Sequence, residues 1–176
     1  MDHPGISRRW MLGLPAYLAA CRQEIVAAQE HAHRAAQAAA PAKLEFFSTP
    51  QAALVEAIAA QIIPSGDSPG AREAGAVYFI DRALTTFEGD KKKLYAEGLA
   101  QLEAQGFVRL TSEQQIHALQ AIEKTEFFQI IRQHTIMGFL ADPEYGGNRD
   151  LIGWKWIGFE DRFAFEPPFG YYDAQE

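Results

Sequence analysis

Thr125-Glu126-Phe127-Phe128-Gln129-Ile130-Ile131-Arg132-Gln133-His134-Thr135-Ile136-Met137-Gly138-Phe139-Leu140 is the most apolar of five segments with helical spacing. Phe127, Phe128, Ile130, Ile131, Met137 and Phe139 fall nearly all round a 3.6-residue period, the pattern of a helix buried on most sides. It is therefore expected at the centre of a bundle. Just upstream, Thr111-Ser112-Glu113-Gln114 has capping-box spacing ahead of Ile116, Leu119 and Ile122. Further back, Gly89-Asp90 opens a segment with Leu94, Leu99 and Leu102 inward and Gly106 as terminator. Before it, Ser65-Gly66-Asp67-Ser68 forms a turn and a cap at Pro69, followed by Val77, Ile80, Ala83 and Leu84. The first segment takes Thr49 as N-cap and Pro50 at the first helical position, carries Leu54, Val55, Ile58 and Ile62, and stops at Pro64. The spacing predicts an all-α fold, a compact bundle of about five helices over residues 44–141.

Downstream the character changes. Asp142-Pro143-Glu144-Tyr145-Gly146-Gly147-Asn148-Arg149-Asp150 is turn-rich, with Pro and paired Gly as punctuation. From there Trp154, Trp156, Phe159, Phe163, Phe165, Phe169, Tyr171 and Tyr172 follow without helical or strand period. Residues 142–176 are expected to be an irregular aromatic tail. A helical core already supplied with Leu, Ile and Phe leaves many of these rings at the surface, and exposed apolar patches mark partner sites. Trp, Tyr and Arg dominate such interfaces, so the expected partner face comprises Tyr145, Gly146, Gly147, Asn148, Arg149, Trp154 and Trp156.

The whole chain has 176 residues, 48% of them hydrophobic, which suits one domain plus a leader and a tail. A formal net charge of −7, with no basic patch, argues against a nucleic-acid partner. Lys91-Lys92-Lys93 reads as the solvated start of a helix. Cys21 is the single cysteine, which excludes an internal disulfide and a cysteine-based zinc or iron–sulfur site.

Residues 1–21 have the composition of an export leader. Ser7-Arg8-Arg9, followed by Trp10-Met11-Leu12, matches a twin-arginine signal. The apolar run to Cys21, interrupted by Gly13 and Pro15, is too short to span a bilayer. Leu18-Ala19-Ala20-Cys21 fits either a lipoprotein box with an acylated Cys21 or a short apolar segment that ends in cysteine. Residues 22–43 are Ala- and Gln-rich and suit an exposed helix or a linker. His31 and His33, two apart, do not share a helical face for a metal.

No catalytic constellation emerges. A dinucleotide fingerprint, a phosphate loop and a nucleophile elbow are all missing from the sequence. His134, on the apolar segment, reads as a core histidine. An independent periplasmic enzyme using His134 with Asp142 or Glu144 is the competing catalytic reading, and a stand-alone lipid-anchored binding protein is another.

Two stretches are distinctive together: Ile62-Ile63-Pro64-Ser65-Gly66-Asp67-Ser68-Pro69-Gly70-Ala71-Arg72-Glu73-Ala74-Gly75-Ala76-Val77-Tyr78-Phe79-Ile80-Asp81, and Asp142 to Asp150 running on to Gly153-Trp154 and Ile157-Gly158-Phe159. From Leu44 to Phe159 the chain resembles the gluconate 2-dehydrogenase subunit 3 family, the small subunits of bacterial flavin-dependent sugar and polyol dehydrogenases. The resemblance implies a non-catalytic subunit with no cofactor of its own. It implies a glucose-methanol-choline-type flavoprotein partner that carries FAD, with a multihaem cytochrome c as a third subunit. It also implies a twin-arginine signal serving the folded partner, and hence a periplasmic, membrane-associated complex. Glu166-Pro167-Pro168-Phe169 lies outside the resemblance.

Overall fold

The computed structural model describes residues 43–162. The expected leader with Ser7, Arg8, Arg9 and Cys21, the 22–43 segment apart from Lys43, and the tail beyond Arg162 lie outside the described residues. Within them the chain forms six α-helices: α1 (Thr49–Ile62), α2 (Ala76–Thr85), α3 (Lys92–Ala104), α4 (Ser112–Ala121), α5 (Glu126–Leu140) and α6 (Ile152–Ile157). Short 3-10 turns at Gly89–Lys91, Phe107–Arg109, Pro143–Tyr145 and Arg149–Leu151 punctuate them. No strand occurs among the described residues, so the fold is all-α.

Local chemistry sets most of these boundaries. Ser48 is the N-cap of α1, one residue ahead of the expected Thr49, and its backbone N–H donates to Gln51 Oε1 at 3.0 Å. At α4, the Thr111 N–H donates to Gln114 Oε1 at 3.0 Å and Thr111 Oγ1 accepts from the Gln114 N–H at 3.3 Å, the reciprocal pair its spacing predicts. Thr125 Oγ1 caps α5 by accepting from the Phe128 N–H at 3.2 Å. Gly106 takes a left-handed φ of 66° just past α3, ending that helix as expected.

The second helix starts later than Ser68-Pro69 predicts. Glu73 Oε2 accepts from Ser65 Oγ at 2.6 Å and from the Gly70 N–H at 2.9 Å, folding the loop on itself. Gly75 then adopts φ 68°, which no right-handed helix tolerates, and α2 opens at Ala76.

α5 packs extensively against α1, α2, α3 and α6, the central position its composition predicts. It is not buried all round, however: Gln129, Arg132, Gln133 and Met137 form a solvent-facing side. Opposite them, Phe127, Ile131, His134, Thr135, Gly138 and Phe139 are buried. The core combines Phe127 and Ile131 with Val55 and Ile58 of α1, Ile80 and Leu84 of α2, Tyr95, Leu99 and Leu102 of α3, and Phe107. Asp81, buried on α2, fixes the entry segment: its carboxylate accepts from the backbone N–H groups of Glu45 (2.7 Å), Phe46 (3.0 Å) and Phe47 (2.8 Å). Three successive donors are thereby satisfied without secondary structure.

The segment after Asp142 departs from the expected irregularity. Two 3-10 turns and α6 give it regular structure as far as Ile157. A helix of six residues is too short to show a period in sequence, and packing against α5 rather than propensity stabilises it.

Candidate partner interface

The C-terminal end of α5 leaves carbonyls that no further helical turn can satisfy. Residues 141–154 satisfy them in turn. The Ala141 N–H returns to the Met137 carbonyl at 2.6 Å, and the Asn148 N–H donates to the Gly138 carbonyl at 2.8 Å. The Trp154 indole N–H donates to the Leu140 carbonyl at 2.6 Å, and Asn148 Nδ2 donates to the Ala141 carbonyl at 2.9 Å. Asn148 Oδ1 in turn accepts from the Gly153 N–H at 2.8 Å, so one fully buried amide ties the end of α5 to the start of α6.

Glycines make this approach close enough. A Cβ on Gly147 would overlap the Gly138 carbonyl, and one on Gly153 would overlap the Phe139 carbonyl. Asn148, Asp150 and Leu151 all have positive φ, at 45°, 57° and 58°. Asn tolerates that region better than most residues, while Leu does so at a cost of roughly 1 kcal/mol or more. The hydrogen bonds just described hold the strained path in place.

The expected interface residues therefore divide. Gly147 and Asn148 are buried and committed to the α5 end. Gly146, at φ 100°, lies against the Tyr78 backbone. Trp154 is half-buried, its ring edge-on to Phe159 at 5.0 Å. Arg149 is exposed, its backbone N–H bonded to the Ala74 carbonyl at 3.0 Å and its guanidinium 5.3 Å from the centre of the Tyr78 ring. Tyr145 and Trp156 face solvent. Beside Trp156 (57% exposed) stand Phe159 (47%), one of the tail rings expected at the surface, and Ile157 (56%), which the sequence pattern did not single out. Ile157 belongs to the apolar pair Trp156-Ile157 that ends a Gly-bounded segment.

His134, the candidate base of the catalytic reading, is 2% exposed and its Nδ1 lies 2.9 Å from the Tyr95 hydroxyl. Asp142 Oδ1 accepts from the Glu144 N–H at 2.9 Å, and the Glu144 carbonyl accepts from Arg82 at 2.6 Å. The structure does not join His134 to either acid.

Among the described residues the chain is all-helical, and its longest helix is closed by the Pro143-Glu144-Tyr145-Gly146-Gly147-Asn148 segment. The family described as gluconate 2-dehydrogenase subunit 3 matches residues 49–161, more than half of the chain, and the chain belongs to that family. Neither the curated proteins nor the solved structures provide a match.

Proposed function

We propose that this chain is the non-catalytic small subunit of a flavin-dependent sugar or polyol dehydrogenase, which it stabilises and escorts through twin-arginine export. The observation that carries this is the match to a dehydrogenase-subunit family across nearly all of the described fold. Arg8 and Arg9 supply the export signal, and FAD is loaded in the cytoplasm, so an FAD enzyme must cross already folded. Its partner is a glucose-methanol-choline-type flavoprotein carrying FAD, with a multihaem cytochrome c as a further subunit. The contact face is the outer side of α6 and its exit, where Trp156, Ile157 and Phe159 project from a helix clamped to α5. Rigid aromatic side chains on a fixed helix lose little entropy on docking, which favours them as anchors. The mature complex is periplasmic and held at the membrane by its partners or by a lipidated Cys21.

The test is co-expression with a glucose-methanol-choline-type flavoprotein partner, this chain carrying Arg8→Lys and Arg9→Lys together. Both chains are expected to stay in the cytoplasm, and a flavoprotein that still reaches the periplasm refutes the escort role. The subunit purified alone is expected to show no flavin or haem absorbance; a stoichiometric chromophore refutes its non-catalytic part. An acylated Cys21 on a chain that never co-purifies with the flavoprotein would instead support a stand-alone lipid-anchored binding protein.

A further inference from the structure

The core holds a hydrogen-bonded polar pair between α3 and α5. Tyr95 of α3 is 0% exposed and His134 of α5 is 2% exposed, with the hydroxyl 2.9 Å from Nδ1 and the rings inclined by only 14°. Around them the packing is apolar: Phe127 stands edge-on to Tyr95 at 5.7 Å, and Phe47 lies 6.1 Å from it. Gly98, on the same helix as Tyr95, lets Phe127 seat there, since a Cβ at that position would overlap its ring.

We propose that the Tyr95–His134 pair is an acid-sensitive lock joining α3 to α5 in the core. With a neutral imidazole, the hydroxyl and Nδ1 share one proton in a single complementary bond. Protonation turns Nδ1 into an obligatory donor, so the Tyr95 hydroxyl must become the acceptor and redirect its own proton. Among the described residues no second acceptor is bonded to that hydroxyl. The imidazolium charge would also sit in the buried interior, stacked on the Tyr95 ring, where desolvation penalises it.

The surrounding charges do not reverse this. Burial lowers the His134 pKa below its ordinary value as the leading influence, with Glu88 opposing and Lys91 reinforcing the shift. Lys91 is itself engaged by Asp90 at 3.3 Å and Glu126 at 3.9 Å. On the other elements packed against α5, Asp81 is taken by the 45–47 amides, Arg82 by the Glu144 carbonyl and Lys92 by the Phe46 ring. Lys155 and Glu103 stand at the surface and Glu56 is half-buried, none of them bonded to the His134 ring. Because the folded state binds fewer protons than the unfolded one, stability is complete above the ordinary histidine value and falls as pH drops towards the folded one.

The experiment is urea unfolding of the full chain between pH 8 and pH 5, beside His134→Gln, which keeps an acceptor for Tyr95 but does not titrate. The wild type is expected to lose up to about tenfold in its folded-to-unfolded ratio per pH unit below pH ~6.5, beyond any loss in the variant. Equal pH dependence in both proteins overturns the proposal. Should the variant fail to fold, the His134 ring followed by NMR in the wild type decides. A ring still neutral at pH ~6, where an ordinary histidine is mostly protonated, supports the lock, and one that titrates at or above the ordinary histidine value refutes it.

Discussion

The Trp154 indole N–H donates to the Leu140 carbonyl at 2.6 Å, bridging 14 residues of sequence to close the last turn of α5. That bond gives the two tryptophans of the α6 segment different work. Trp154 faces back into the fold, whereas Trp156 leaves it. Trp154→Phe keeps most of the ring and deletes the donor, and is expected to cost about 1 kcal/mol of stability. Trp156→Ala is expected to leave unfolding unchanged while weakening binding to the proposed flavoprotein partner by about 2 kcal/mol. Urea unfolding and co-purification separate the two effects, and complete retention of the complex by Trp156→Ala would remove that residue from the interface.

Asn148 is the most exacting position of the segment. Asn148→Ala strands the Ala141 carbonyl and the Gly153 N–H together, and places a residue with a Cβ but no compensating bond at φ 45°. A loss of about 2–4 kcal/mol is expected from two unsatisfied buried groups. Asn148→Asp retains the acceptor for Gly153 but buries a charge and turns its second oxygen towards the Ala141 carbonyl, so at neutral pH it should cost at least as much as Ala. Denaturant midpoints at constant slope measure the order.

Gly98→Ala tests the α3–α5 seam. Its new methyl would overlap the Phe127 ring, and overpacking of this kind costs about 1–3 kcal/mol. Combining it with Phe127→Leu is expected to recover part of the loss. Additive losses in the double variant would show that the two positions do not share this space.

Glu73 links the α1–α2 loop to acidity. Its carboxyl is held below the ordinary 4.5, first by the Ser65 hydroxyl and then by backbone donors including the Gly70 N–H. A depressed carboxylate adds stability above its ordinary pKa and loses it as pH falls towards the folded value. Glu73→Gln is expected to flatten the acid limb of the stability curve slightly, the group being exposed. An unchanged limb in thermal unfolding at pH 3–5 would refute the coupling.

Five helices were legible in the sequence because each carried a period and a stop signal of its own, as Thr111–Gln114 and Gly106 illustrate. The start of α2 was not legible. Ser68-Pro69 has the chemistry of a cap, but Glu73 and the left-handed Gly75 override it through contacts that spacing does not encode. α6 escaped notice because six residues are too few to display a period. At the interface, residue type pointed to the 145–156 stretch without revealing direction. Asn148 could have been suspected, since Asn after paired Gly favours left-handed backbone and local side-chain bonds. That its amide faces inward depends on where the α5 carbonyls lie, which is knowledge of the third dimension. Asp81 was equally silent: a lone carboxylate in an apolar stripe does not disclose that it gathers the amides of residues 45–47.

The capping of α5 from downstream also orders events during synthesis. Every group that closes the carbonyls of Gly138, Leu140 and Ala141 is translated after the helix itself, the last being Trp154. A nascent chain halted at Leu140 holds five helices' worth of sequence but an open final turn. The last turn of α5 therefore closes only after the ribosome has passed Trp154, and a shortened chain ending before that residue is expected to keep that turn open and to be less stable than the full domain.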